Sequence, residues 1–180
     1  NLGLRLWDRD GQVRAYLNAS LPMDWHPSRR ELLAKVWGET DFALWSDTGE
    51  QLKTVIASSE LSRSVAWSPD GRRIAQGSNS RTITEIRDSQ NGEQLAVLTG
   101  EAAGPVSSID WSPDGSHLVV GAGDSTSTWE LASGTVQQTT RRRGACVAWN
   151  PVADLIADSY DSVQVWSPQK ISDPVSRGPR

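Results

Sequence analysis

The chain has 180 residues, a formal net charge of -4 and a single cysteine, Cys146. One cysteine excludes an intrachain disulfide and the multi-cysteine type of zinc site. The negative charge gives no bulk electrostatic pull toward nucleic acid, and no apolar run approaches the ~18 residues of a membrane-spanning helix.

In chain order, the first strand runs into Trp7-Asp8, a turn follows at Gly11, and a polar strand covers 13–18. Asp24-Trp25-His26-Pro27 ends the next strand in a turn; Asp41 sits in a polar turn; Phe42-Ala43-Leu44-Trp45 is a strand, followed by a turn at Gly49 and a strand over 51–57. The third unit shows the pattern best. Ser64-Val65-Ala66-Trp67 leads into Ser68-Pro69-Asp70-Gly71, and Arg73-Ile74-Ala75-Gln76-Gly77 returns. Pro69 presets the first central position of a type I turn, Ser68 can bond back to the backbone, and Gly71 relaxes the exit. Asn79 or Ser80 takes the polar turn of this unit, Gly92 the next, and 94–98 the polar strand. The fourth unit repeats the turn as Trp111-Ser112-Pro113-Asp114-Gly115, then passes Asp124, Trp129-Glu130, Gly134 and a strand over 136–140. The fifth has Ala148-Trp149-Asn150-Pro151, Asp161 and Val163-Gln164-Val165-Trp166, before an extended tail over 167–180 with Pro168, Pro174 and Pro179.

Eight of the nine tryptophans fall into two interleaved ladders. Trp25, Trp67, Trp111 and Trp149 stand 42, 44 and 38 residues apart. Trp7, Trp45, Trp129 and Trp166 form the second ladder; Ile86 reads as the apolar stand-in that fills its gap. A fixed period near 40 residues marks a repeat array. Four short strands per period, the first three apolar on both faces and the fourth more polar, imply sheets sandwiched between neighbours in a β-propeller with essentially no helix. The tryptophans are expected to fill the wedges between blades.

The expected division is two strands of a partial blade (1–19), blades at 20–60, 61–101 and 102–141, three strands of a last blade (142–166) and the tail. Two and three strands do not make one clean four-stranded blade. The reading is therefore an all-β, incomplete C-terminal segment of about four blades from a larger propeller. The start at Asn1 agrees with a piece of a longer polypeptide. Both ends then expose an apolar sheet face, so the isolated chain is expected to be marginal or to associate with itself.

These repeats resemble the WD-repeat propeller family over nearly the whole chain. The Trp-Asp pair is literal at Trp7-Asp8 and reads as modified at Trp45-Ser46, Ile86-Arg87, Trp129-Glu130 and Trp166-Ser167. The Gly-His pair is missing, with Gly100-Glu101 in the nearest equivalent place. The resemblance implies a network of His, turn Asp, Ser or Thr, and Trp in each blade. Asp41, Asp124 and Asp161 can take its Asp role, but no His can, so stability should rest on Trp packing. The Ser-Pro-Asp-Gly turns are also similar to those of Tol-type periplasmic propellers and prolyl-peptidase-like propellers.

No catalytic constellation stands out. His26 reads as a turn variant and His117 as an exposed strand start; the two share no metal-site spacing. Cys146 reads as a small buried residue, since nothing near it in sequence would lower its pKa. The serines lack a Gly-x-Ser-x-Gly elbow, Gly121-Ala122-Gly123 precedes no helix, and the turn acids lack calcium-loop spacing. No cofactor or metal is expected. Arg141, Arg142 and Arg143 lie in a loop between units and offer bidentate pairing to carboxylates or phosphate; they are the candidate partner-binding residues. The resemblance implies a non-enzymatic scaffold presenting loops to proteins or peptides, as the interaction part of a larger bacterial signalling protein. Low cysteine usage fits a cytoplasmic setting. The alternative is a non-catalytic propeller that gates a hydrolase, or a Tol-type periplasmic propeller.

Overall fold

The computed structural model of the protein describes residues 3–56, 62–100, 104–140, 146–159 and 162–168. Among them the chain forms strands and turns and no helix. In order the strands are β1 (Leu4–Trp7), β2 (Val13–Leu17), β3 (Ala19–Trp25), β4 (Glu31–Val36), β5 (Phe42–Ser46), β6 (Gln51–Ile56), β7 (Ser62–Trp67), β8 (Arg73–Ser78) and β9 (Ile83–Asp88). There follow β10 (Gln94–Thr99), β11 (Val106–Trp111), β12 (His117–Ala122), β13 (Ser125–Glu130), β14 (Thr135–Thr140), β15 (Cys146–Trp149), β16 (Ile156–Ser159) and β17 (Val163–Trp166). They make five antiparallel meanders: β1-β2, β3-β4-β5-β6, β7-β8-β9-β10, β11-β12-β13-β14 and β15-β16-β17. Successive four-stranded sheets of this kind are propeller blades. Their first strands are neighbours, with β3 against β7, β7 against β11 and β11 against β15.

Alternation along each strand gives each sheet two distinct faces. The Trp face looks back to the preceding sheet. Trp67 packs with Leu33, Phe42 and Ile56 of β3–β6. Trp111 and Trp129 pack with Ala66, Ala75 and Leu98 of β7–β10, and Trp149 and Trp166 with Val119 of β12. The opposite face of each sheet meets the sheet that follows, so the core is a series of wedges between sheets. At the N-terminal end the ladders are not buried. Trp7 is 58% exposed and Trp25 47%, because the β1-β2 sheet brings no inner strand against Trp25.

The register corrects one sequence assignment. Directly paired residues in an antiparallel sheet share a face. Trp111 pairs with Leu118 and Leu118 with Trp129, and Trp25, Leu32 and Trp45 align likewise. In the third sheet Trp67 pairs with Ile74 and Ile74 with Arg87. The residue in the ladder is therefore Arg87, 42 positions from both Trp45 and Trp129. Ile86 points the other way and is buried in the wedge toward β11–β14.

The same correction restores the polar half of the Trp-Asp pair. The counterpart of Asp8 is Asp88, not Arg87. Asp8 Oδ1 accepts the amides of Asp10 and Gln12 at 3.0 and 2.8 Å. Asp88 Oδ1 accepts those of Gln90 and Asn91 at 2.8 and 3.1 Å. In the second sheet Ser46 Oγ takes the role for Glu50 at 3.0 Å. Arg87 fills the Trp place by bonding Gly92 O at 3.0 Å and pairing with Glu85 at 2.6 Å.

Candidate functional site

The turns after β3, β7, β11 and β15 occupy equivalent places in their sheets. Ser68 O accepts Gly71 N at 2.8 Å, and Ser112 O accepts Gly115 N at 2.9 Å. Gly71 and Gly115 both have φ near +70° (68° and 69°), a conformation that favours glycine. Ser68 Oγ accepts Arg73 N at 2.9 Å and donates to Asp70 at 2.5 Å. Ser112 Oγ accepts His117 N at 2.9 Å and donates to Asp114 at 2.6 Å. The bonds from Ser112 and from the Ser116 amide and hydroxyl hold the Asp114 pKa down to about 2, so this carboxylate is ionised at neutral pH. His26 replaces the serine in the second sheet, its Nδ1 accepting the amides of Ser28 and Arg29 at 3.2 and 3.1 Å. Asn150 Oδ1 does the same for Val152 and Ala153 in the fifth.

Side chains from these turns lock onto the Trp of the following sheet. His26 meets Trp67 edge-on at 4.6 Å between ring centres. Arg73 lies 4.8 Å above the Trp111 ring and donates to Gly115 O at 2.8 Å. His117 tilts over Trp149 at 6.3 Å. Burial, helped by the nearby Arg29 charge, lowers the His26 pKa, in keeping with a neutral ring whose Nδ1 is an acceptor. The sequence reading of both histidines as non-catalytic missed this joining role. Cys146, expected to be buried, is exposed, because alternation along β15 buries Val147 and Trp149 and turns Cys146 and Ala148 outward.

A second joint, also missed from sequence, lies one residue before each Trp. Asp24 Oδ2 accepts Trp67 N, and Asp110 Oδ2 accepts Trp149 N, both at 2.7 Å. Asp110 Oδ1 also takes its own Trp111 N at 2.8 Å. Burial raises the pKa of both carboxylates, partly offset by these bonds. The equivalent residue of β7 is Ala66, and there the contact is made by Trp111 Nε1, which donates to Ala66 O at 3.1 Å. Trp67 Nε1 and Trp149 Nε1, whose backbones are held by Asp, are buried without a hydrogen-bond partner.

Between the fourth and fifth sheets, on the turn face, opens a cleft of about 540 Å³. Pro113, Asp114 and His117 line one side, Trp149, Pro151, Val152, Ala153 and Asp154 the other, and Pro168 lies at its margin. Its volume is that of a ligand-sized recess.

Asp41 is half-buried beside an open depression formed with Lys35, Gly38, Glu39 and Thr40; Asp124 is exposed. These two are not brought together with each other or with the cleft. Arg141, Arg142, Arg143 and Asp161 lie outside the described residues. Of the third-strand indoles, Trp166 Nε1 donates to Asp158 at 3.1 Å, while Trp45 Nε1 is buried without a hydrogen-bond partner.

A comparison with curated proteins returned no match. The family model described as "WD domain, G-beta repeat" matches residues 44–84 and 92–127. The first match starts within the third strand of one sheet and the second just before the fourth strand of the next. Each ends in the third strand of the sheet that follows, so the sequence repeat is staggered against the blade. Together with the successive four-stranded antiparallel sheets, these matches support a WD-repeat family and a β-propeller fold.

Proposed function

We propose that this chain is a non-enzymatic interaction scaffold, whose stacked sheets hold turns and loops in fixed geometry for protein or peptide partners. The observation that carries this reading is the double tying of the turn face. Each turn is closed by its own Ser, His or Asn, and His26, Arg73 and His117 then rest on the next sheet's Trp. Preorganised surface of this kind lowers the ordering cost of binding, and WD repeats in general mediate protein interactions.

In its finer form the proposal makes the chain the interaction part of a larger cytoplasmic signalling protein, with Arg141, Arg142 and Arg143 as a basic loop for acidic partners. The test is affinity capture of the full-length protein from its source cells with quantitative mass spectrometry. A defined set of proteins should co-purify, and replacing the three arginines with alanine should deplete at least one. Unchanged capture would remove the arginine assignment; substrate turnover by the purified chain with no protein captured would overturn the scaffold reading.

A further inference from the structure

The cleft between the fourth and fifth sheets has a composition that selects its occupant. Its walls are Trp149, Pro113, Pro151 and Val152, its carboxylates are Asp114 and Asp154, and among the described residues no lysine or arginine lines it. Val152 is 90% exposed, so its apolar surface is available without any rearrangement. The exposed rings of Pro113 and Pro151 beside Val152 make a rigid apolar wall, with the edge of the buried Trp149 at its base, a lining that receives extended polyproline-type segments at little entropic cost. Two carboxylates with no lysine or arginine beside them among the described residues repel phosphate and acidic side chains and favour guanidinium or ammonium groups. Asp114 is fixed by its own turn, while Asp154 is exposed and free to meet a ligand's charge.

We propose that this cleft docks an extended, proline-containing peptide segment that bears arginine or lysine. The proposal rests on the scaffold reading and gives it a partner chemistry. The apolar walls hold the proline rings, and the acidic rim sets which charge is accepted. Salt should weaken the interaction, because the charged half lies at a solvent-facing rim.

The test uses the complete chain and a short fluorescent peptide of alternating arginine and proline, followed by anisotropy, with the glutamate-for-arginine peptide as control. The arginine peptide should bind and the glutamate peptide should not. Asp154→Lys should weaken binding about fivefold, and Val152→Ser about tenfold through lost apolar contact. Both positions are exposed, so neither variant perturbs the fold; circular dichroism checks this. Equal binding of both peptides, or unchanged affinity in both variants, would overturn the proposal. So would cross-links placing residues 169–180 in the cleft of the protein alone, or a dimer abolished by Val152→Ser, since the occupant would then be the chain's own tail or a second copy. If the peptide fails while the full-length protein still captures partners, the scaffold reading stands and only the cleft assignment falls.

Discussion

Replacing Asp110 with alanine should loosen one joint and leave the others intact. The Asp110 carboxylate accepts two amides, Trp149 N at 2.7 Å from the following sheet and Trp111 N at 2.8 Å from its own strand. A hydrogen bond to a charged group contributes about 1.5–3 kcal/mol, and an amide left unpaired in the interior adds to the loss. Two effects offset part of this. Alanine removes a carboxylate whose burial is unfavourable, as its raised pKa records. It also recreates the arrangement at Ala66, where the next indole bonds the carbonyl instead, and Trp149 Nε1 stands unpartnered to do so. The net loss is set at about 2 kcal/mol, or about thirtyfold in the local opening equilibrium. Native-state hydrogen exchange by mass spectrometry reads this directly. Peptides covering β15 and β16 should exchange about thirtyfold faster, while those of β3–β6 keep wild-type rates. Unchanged exchange in β15, or an equal acceleration in β3–β6, would refute the reasoning.

The register at β9 predicts that Ile86→Ala costs about 2–4 kcal/mol by opening a cavity in a closed wedge. Arg87→Ala should cost about 1 kcal/mol; the reverse order in chemical denaturation would contradict the assignment of Arg87 to the ladder. Arg73→Ala, which removes both the Trp111 stacking and the bond to Gly115 O, should cost about 1–2 kcal/mol, with Arg73→Lys in between; equal stability of all three proteins would refute it. Asp114 has a folded pKa of about 2 against an ordinary 3.8, and Asp70 is also lowered, burial being outweighed by the Ser68 and Arg72 bonds and the nearby arginines. Their contribution is present above pH 3.8 and lost as the pH falls through the lowered values. Asp24 and Asp110 have raised values, so protonating them favours the folded state on the way down to 3.8. Acid unfolding followed by tryptophan fluorescence should therefore fall below pH 3.8 and be shallower in Asp114→Asn; a slope unchanged by that substitution would contradict the assignment. Finally, Trp7 and Trp25 at one end and Val163 and Val165 at the other are exposed, so the isolated chain should self-associate in sedimentation. A monomer that unfolds cooperatively would refute this.

The repeat was legible because it rests on spacing and turn chemistry. Ser-Pro-Asp-Gly twice over, and Trp at a period near 40 residues, announce hairpins and sheets whatever the partner residues are. Face assignment was less legible. Ile86 and Arg87 differ by one position, and a one-residue slip reverses every side chain. Apolar character favoured Ile86; the ladder in fact continues through an arginine anchored by Glu85 and Gly92. The cleft and the Asp joints were not legible. Each depends on residues about 40 positions apart meeting across a wedge, and nothing local to Asp24 or Asp110 says that its carboxylate reaches another sheet.

The Asp joints explain how the repeat holds without the family's Gly-His element. The residue before each inner Trp runs Asp24, Ala66, Asp110, Ala148, so carboxylates occupy alternate sheets. Asp24 and Asp110 each take the next Trp's amide, and at Ala66 the next indole reaches back to the carbonyl. An acid in every sheet would place buried carboxylates on adjacent inner strands. Even with a whole sheet between them, Asp110 already raises the pKa of Asp24, and closer spacing would strengthen that repulsion. Alternation supplies an intersheet bond at each of these joints with half the buried charge. Such variation in the repeat is therefore not decay of a pattern. It is a division of one task between two chemistries.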